Sequence, residues 1–133
     1  SGEIRFAAHL GLYPICWRHR NVLAGKDKAF RPSVYQRVTG KPVQILAGGK
    51  DDFDDPDSCE KFLAELSAPV RAHFSLTNYP TGTFAWDSRF SSTTYDAGAK
   101  KGKGGFVNVI ADAETANRSR EFTVAYFLAA LRP

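Results

Sequence analysis

Apolar residues in this chain fall into short runs separated by polar, turn-rich stretches. Ile4 to Tyr13 holds Ile4, Phe6, Ala7, Ala8, Leu10 and Leu12, is interrupted only by Arg5 and His9, and stops at Pro14. A run of that kind predicts a strand buried on both faces. Trp17 to Thr39 is polar, is broken by Gly25 and Pro32, and shows no helical period beyond a short turn near Ser33 to Val38. It reads as a long rim loop. Val43 to Ala47 predicts a second short buried strand, entered from Gly40-Lys41-Pro42 and left through Gly48-Gly49.

Helical spacing begins with Cys59, Phe62, Leu63 and Leu66, and with Asp57 or Ser58 as cap it predicts an amphipathic helix over Ser58 to Ser67. Val70, Ala72, Phe74 and Leu76 then alternate with polar residues, as in an edge strand with one wet face. Thr93 to Tyr95 and Phe106 to Ile110 predict an accessory hairpin. Asp112 caps a last helix in which Ala116, Val124, Phe127, Leu128 and Leu131 line one face. Strands separated by crossovers imply a parallel sheet. The predicted class is α/β, with about three parallel strands flanked by helices plus the hairpin.

With 133 residues, 43% of them hydrophobic, the chain can bury the core of one ordinary domain over residues 1–133. No run approaches the ~20 apolar residues that cross a bilayer, so no membrane is expected. The net charge of +4 comes from scattered Lys and Arg, with only Lys100, Lys101 and Lys103 close together. That describes a solvated surface rather than a nucleic-acid footprint. Methionine is absent, so the start at Ser1 arises by processing or as a cloning remnant.

Two segments carry candidate chemistry. Gly48-Gly49-Lys50-Asp51-Asp52 follows the second strand, and Tyr79-Pro80-Thr81-Gly82-Thr83-Phe84-Ala85-Trp86-Asp87 follows the third. Together they resemble the acid and histidine turns of dienelactone hydrolases, members of the α/β-hydrolase superfamily, whose second turn is similar to Tyr-Pro-Gly-Ala-x-His-Ala-Phe-Asp. The segment Phe6 to Trp17, the late Tyr95-Asp96-Ala97-Gly98 with Lys101 to Gly105, and the closing Ser119 to Phe127 also resemble that family. The resemblance implies a partial α/β-hydrolase fold: the C-terminal half, beginning just before the sixth strand of eight.

On that resemblance Asp51 occupies the triad acid position, which holds a histidine in its productive tautomer. Phe84 occupies the histidine position, and a phenyl ring cannot accept a proton. The Gly-x-Ser/Cys-x-Gly elbow that bears the nucleophile does not occur. Tyr13, Cys16, Trp17, His19 and Trp86 are expected around the rim of the cleft. The implied ligand is a small ester or lactone, and no cofactor is implied. The chain is expected to be catalytically incomplete by itself; the alternative is a non-catalytic module that binds a small ligand or another protein.

Cys16 and nearby His19 form a nucleophile pair only if the fold brings them into contact, and His9 and His73 read as structural. Cys16 and Cys59 fall at the same sheet edge, where a disulfide closing about 43 residues would stabilise by ~3 to 4 kcal/mol. Two reduced thiols fit the sequence equally, so the compartment stays open: periplasmic or secreted with the bond, cytoplasmic without it. The run Asp51, Asp52, Asp54, Asp55, Asp57 lacks the glycine and glutamate of a calcium loop, so no metal is expected. Lys100 to Gly105 lacks phosphate-loop spacing and reads as a mobile hairpin tip. An uncovered first strand would expose backbone and apolar groups, so the chain is expected to form a homo-oligomer or to associate with its missing N-terminal half.

Overall fold

The computed structural model describes residues 3–133. Three parallel strands form the sheet: β1 (His9–Leu12), β2 (Val43–Gly48) and β3 (Phe74–Tyr79), in the order β1-β2-β3. Leu12 pairs with Leu46, and Leu46 with Thr77. Helix α1 (Cys16–Leu23) follows β1, while α2 (Ser58–Glu65) and α3 (Ala68–Arg71) connect β2 to β3. An antiparallel hairpin of β4 (Ser92–Asp96) and β5 (Gly105–Val109) encloses the one-turn element α4 (Ala99–Gly102). Helix α5 (Ala113–Ala130) closes the chain. Among the described residues, no helix is long and apolar enough to cross a membrane.

Side-chain alternation along β2 divides the core. Ile45 and Ala47 face Phe62, Leu63, Cys16 and Cys59, while Leu46 points to the opposite face, against Tyr79 and Trp86. The first layer is covered by α1 and α2, the second by α5 through Ala116 and Phe122. A third cluster of Phe53, Ala99 and Val107 seats the hairpin on the loop after β2.

Several elements depart from the sequence pattern for identifiable reasons. The first strand is four residues long rather than ten, because β2 supplies partners only opposite His9 to Leu12. Ile4 and Phe6 lie outside it and are 91% and 69% exposed. The expected rim loop contains α1 and a 3-10 turn at Pro32–Tyr35. Val70 belongs to α3, which has Pro69 in its first turn, so the third strand begins later, at Phe74. Neither Asp57 nor Ser58 caps α2 through its side chain; Asp57 instead pairs with Lys61 at 2.9 Å.

Helix α5 turns a different face inward from the one its apolar residues suggest. Thr115 and Ser119 are buried, whereas Val124, Leu128 and Leu131 are 54%, 60% and 68% exposed. Hydrogen bonds set the rotation. The indole N–H of Trp86 donates to Ser119 Oγ at 3.0 Å, and the Tyr126 hydroxyl donates to the carbonyls of His9 and Pro42 at 3.0 and 3.1 Å. The expected cap is present: Asp112 accepts from the Thr115 N–H at 3.0 Å.

Candidate functional site

The site begins at two glycines. A Cβ on Gly48 would lie 2.3 Å from the Gly82 carbonyl oxygen, and one on Gly49 would lie 2.7 Å from that of Pro80. Only residues without a side chain let the turn after β3 press this closely on the end of β2. Backbone bonds then fasten the two: Gly49 N–H to Tyr79 O at 2.8 Å and Lys50 N–H to Gly82 O at 2.9 Å. The consequence is that Asp51 and Phe84, 33 positions apart in the numbering, line one cavity at the C-terminal edge of the sheet together with Tyr13, Cys16 and Cys59.

Three aromatic rings, Tyr13, Phe53 and Phe84, stand in the cavity wall. The Phe84 ring lies 5.0 Å from Phe53 and 5.2 Å from Tyr13, and Tyr13 packs edge-on against Trp86 at 5.1 Å. The Tyr13 hydroxyl donates to Asp87 at 3.0 Å; burial and then that bond push its pKa up to about 12. Two residues around the cavity hold left-handed backbone, Tyr13 at φ 38° and Ala85 at φ 53°. Each such conformation costs on the order of 1–3 kcal/mol and persists because its surroundings fix it.

Asp51 accepts a hydrogen bond from the Phe53 N–H at 2.9 Å. Burial, opposed by that bond and reinforced by Asp52 and Asp54, pushes its pKa up to about 6. Beside it, Asp54 Oδ2 and Ser58 Oγ are buried without a partner among the described residues, and both residues line the same cavity. The free volume is about 20 Å³, enough for one water molecule and far below the ~300 Å³ at which small-molecule pockets begin.

The acidic run is largely engaged rather than solvated. Lys100 reaches the Asp52 carbonyl, the Lys101 N–H donates to Asp54 at 2.6 Å, and the Lys101 ammonium pairs with Asp55 at 2.6 Å. Asp55 is held below the usual carboxylate range by that ammonium, while burial raises Asp54. Lys100 and Lys101 both adopt positive φ, 53° and 60°. The hairpin tip is therefore docked on the acidic loop, against the expectation of a free tip. No group of three or more His, Cys, Asp or Glu suited to a metal ion occurs among the described residues.

The remaining rim residues separate. Cys16 and Cys59 form a disulfide with Cα atoms 4.9 Å apart, joining the first turns of α1 and α2. Cys16 is thus no thiol nucleophile. His19 Nδ1 engages the Tyr35 hydroxyl at 2.5 Å and its ring packs 5.4 Å from Phe62; burial, then Arg18, lowers its pKa. Trp17 sets its ring tip against the hairpin instead, where a Cβ on Gly102 would lie 3.3 Å from Cη2. Trp86 is fully buried rather than at a rim. None of the three histidines lines the Asp51 cavity. Sequence reasoning missed Phe53 and Ser58 as wall residues; the sole signal was their position in the loop after the second strand. Comparison with family models, curated proteins and solved structures gives no match.

Proposed function

We propose that this chain is a dienelactone-hydrolase-like C-terminal half that retains the scaffold of an ester-hydrolase site and has lost its chemistry. The observation that carries this reading is the shared cavity of Asp51 and Phe84 at the ends of adjacent parallel strands. In an acyl-transfer site the acid orients a histidine that deprotonates the nucleophile. Here the carboxyl shares its cavity with a phenyl ring, so no group at that position can take a proton. General-base catalysis needs an acceptor within about 2.6–3.2 Å of the nucleophile, and the two sulfurs that line the cavity, Cys16 and Cys59, are bonded to each other.

The direct test is hydrolysis of a p-nitrophenyl ester by the parent chain and by Phe84→His. Neither is expected to exceed buffer, since the restored base has no nucleophile to serve. Saturable turnover by the parent that Asp51→Asn abolishes would sink the reading.

A second reading, a binding module, rests on a different groove. Arg18, His19, Val22, Phe30, Val34 and Tyr35 line an open space of about 470 Å³, large enough for a small apolar ligand. Among the described residues no strand pairs with the outer edge of β1, which supports association with another chain, and the disulfide supports a periplasmic or secreted setting.

A further inference from the structure

The groove beside α1 is built from one stretch of chain. Its wall residues, Arg18, His19, Val22, Phe30, Val34 and Tyr35, all lie within residues 18–35, so no strand and no part of the Asp51 cavity lines it. The floor is anchored in the core: Val22 is buried, and the rings of His19 and Tyr35 each lie 5.4 Å from Phe62. Local turn chemistry holds the far wall. Asp27 Oδ1 accepts from the Ala29 and Phe30 N–H groups at 2.8 and 3.0 Å, a turn that places Phe30, and Pro32 opens the 3-10 turn that presents Val34. Walls fixed in advance need little ordering when a ligand arrives.

Charge is concentrated on the same stretch. Residues 18–35 hold Arg18, Arg20, Lys26, Lys28 and Arg31 against Asp27 alone, a net +4 that equals the net charge of the whole chain. Arg20 is taken by Glu65 at 2.6 Å. Lys26, Lys28 and Arg31 are exposed and form no ion pair among the described residues. Arg18 is loosely held: its Nε stands 3.8 Å from Asp27 Oδ2, beyond hydrogen-bond reach. Its guanidinium therefore keeps paired donors for another carboxylate. His19 does not supply that charge, because burial and then Arg18 lower its pKa and its Nδ1 is engaged by the Tyr35 hydroxyl.

We propose that this groove binds a small monocarboxylate with an aromatic or short alkyl body, its carboxylate on the Arg18 guanidinium and its body against Val22, Phe30 and Val34. A neutral hydrocarbon would leave the guanidinium idle, and an inorganic anion would leave the exposed Phe30 and Val34 in water. The open space of about 470 Å³ lies in the range of small-molecule sites. The unpaired Lys and Arg of the same stretch draw anions toward it.

This ligand class rests on the binding-module reading above and is independent of the ester assay. The test is an NMR titration of the oxidised chain with 4-phenylbutyrate and with its primary amide, which keeps the body and lacks the charge. The acid should bind saturably and shift amide signals within residues 18–35, and the amide should bind about tenfold more weakly, as expected for loss of a charge-assisted hydrogen bond. Arg18→Gln should lower the acid to the affinity of the amide and leave the amide unchanged, a pattern that a folding defect does not produce. Phe30→Ser should weaken both. The two positions are exposed, so the fold tolerates either change. Equal binding of acid and amide would overturn the carboxylate class while keeping a binding module; no binding of either up to about 10 mM would overturn both. Shifts centred on Asp51 and Phe53, undiminished binding of the acid by Arg18→Gln or Phe30→Ser, or sedimentation with phosphatidylglycerol vesicles in place of binding to the free acid would overturn the proposal.

Discussion

Asp51 carries a charge that its surroundings disfavour. Its pKa stands at about 6 against an ordinary value of 3.8, so the folded state binds the proton more tightly than the unfolded chain. Its contribution to stability is complete below the unfolded value and is lost as pH rises through about 6. Asp51→Asn removes that loss. At about 1.4 kcal/mol per pH unit, the substitution should stabilise the chain by roughly 2–3 kcal/mol at pH 8 and by little at pH 3.5, read from urea midpoints across pH. An equal effect at both pH values would show that the carboxyl is not buried as described. Gly48 gives the opposite case: with the Gly82 oxygen 2.3 Å from any added Cβ, Gly48→Ala must push the two turns apart. Overpacking of this kind costs about 1–3 kcal/mol or more, and the same urea series would measure it. Part of this was legible in sequence, because Gly48-Gly49 and the Tyr79 to Asp87 turn are recognisable signals. The neighbours that set the Asp51 environment, Phe53, Asp54 and Ser58, were not, since their convergence depends on how the loop folds back.

At the scale of elements, helix α5 shows how polar contacts override an apolar stripe. Its rotation follows Thr115, Ser119 and Tyr126, whose partners are a cap, a buried indole and the carbonyls of His9 in β1 and Pro42 just before β2. Burying Val124, Leu128 and Leu131 instead would have left the Trp86 N–H unpaired, a penalty of about 1–3 kcal/mol. Periodicity registers only apolar residues, so it selects the wrong face. Asp112 ties this helix to the site turn by accepting from Thr115 and from the Thr81 hydroxyl at 3.0 Å. Those hydroxyl and N–H donors, Thr115 first, hold its carboxyl below the usual range. Asp112→Ala should therefore lower stability by about 1–2 kcal/mol at neutral pH, with the difference fading as acid protonates the parent. Helix α1 escaped notice for a related reason. Cys16, His19 and Val22 do recur at helical spacing, yet one is an imidazole and another half of a disulfide, so the stripe does not look hydrophobic.

For the whole molecule, the sequence pattern identified a parallel α/β architecture with a hairpin, and the structure has three parallel strands between helical layers with that hairpin attached. It overestimated the first strand because a strand's length depends on its partner, and β2 reaches only four residues of it. The same mismatch leaves Ile4 and Phe6 outside the sheet.

The bond between Cys16 and Cys59 also governs how the chain responds to mechanical tension. Pulled from its two ends, the oxidised protein transmits load through the crosslink, and the intervening stretch, including all of β2, carries none. Its sequence separation of 43 withholds about 150 Å of extension at ~3.5 Å per residue. In an optical trap the first rip should fall short of full contour length by that amount, and adding a reductant should release it. Full extension without reductant would mean that the bond does not span these elements.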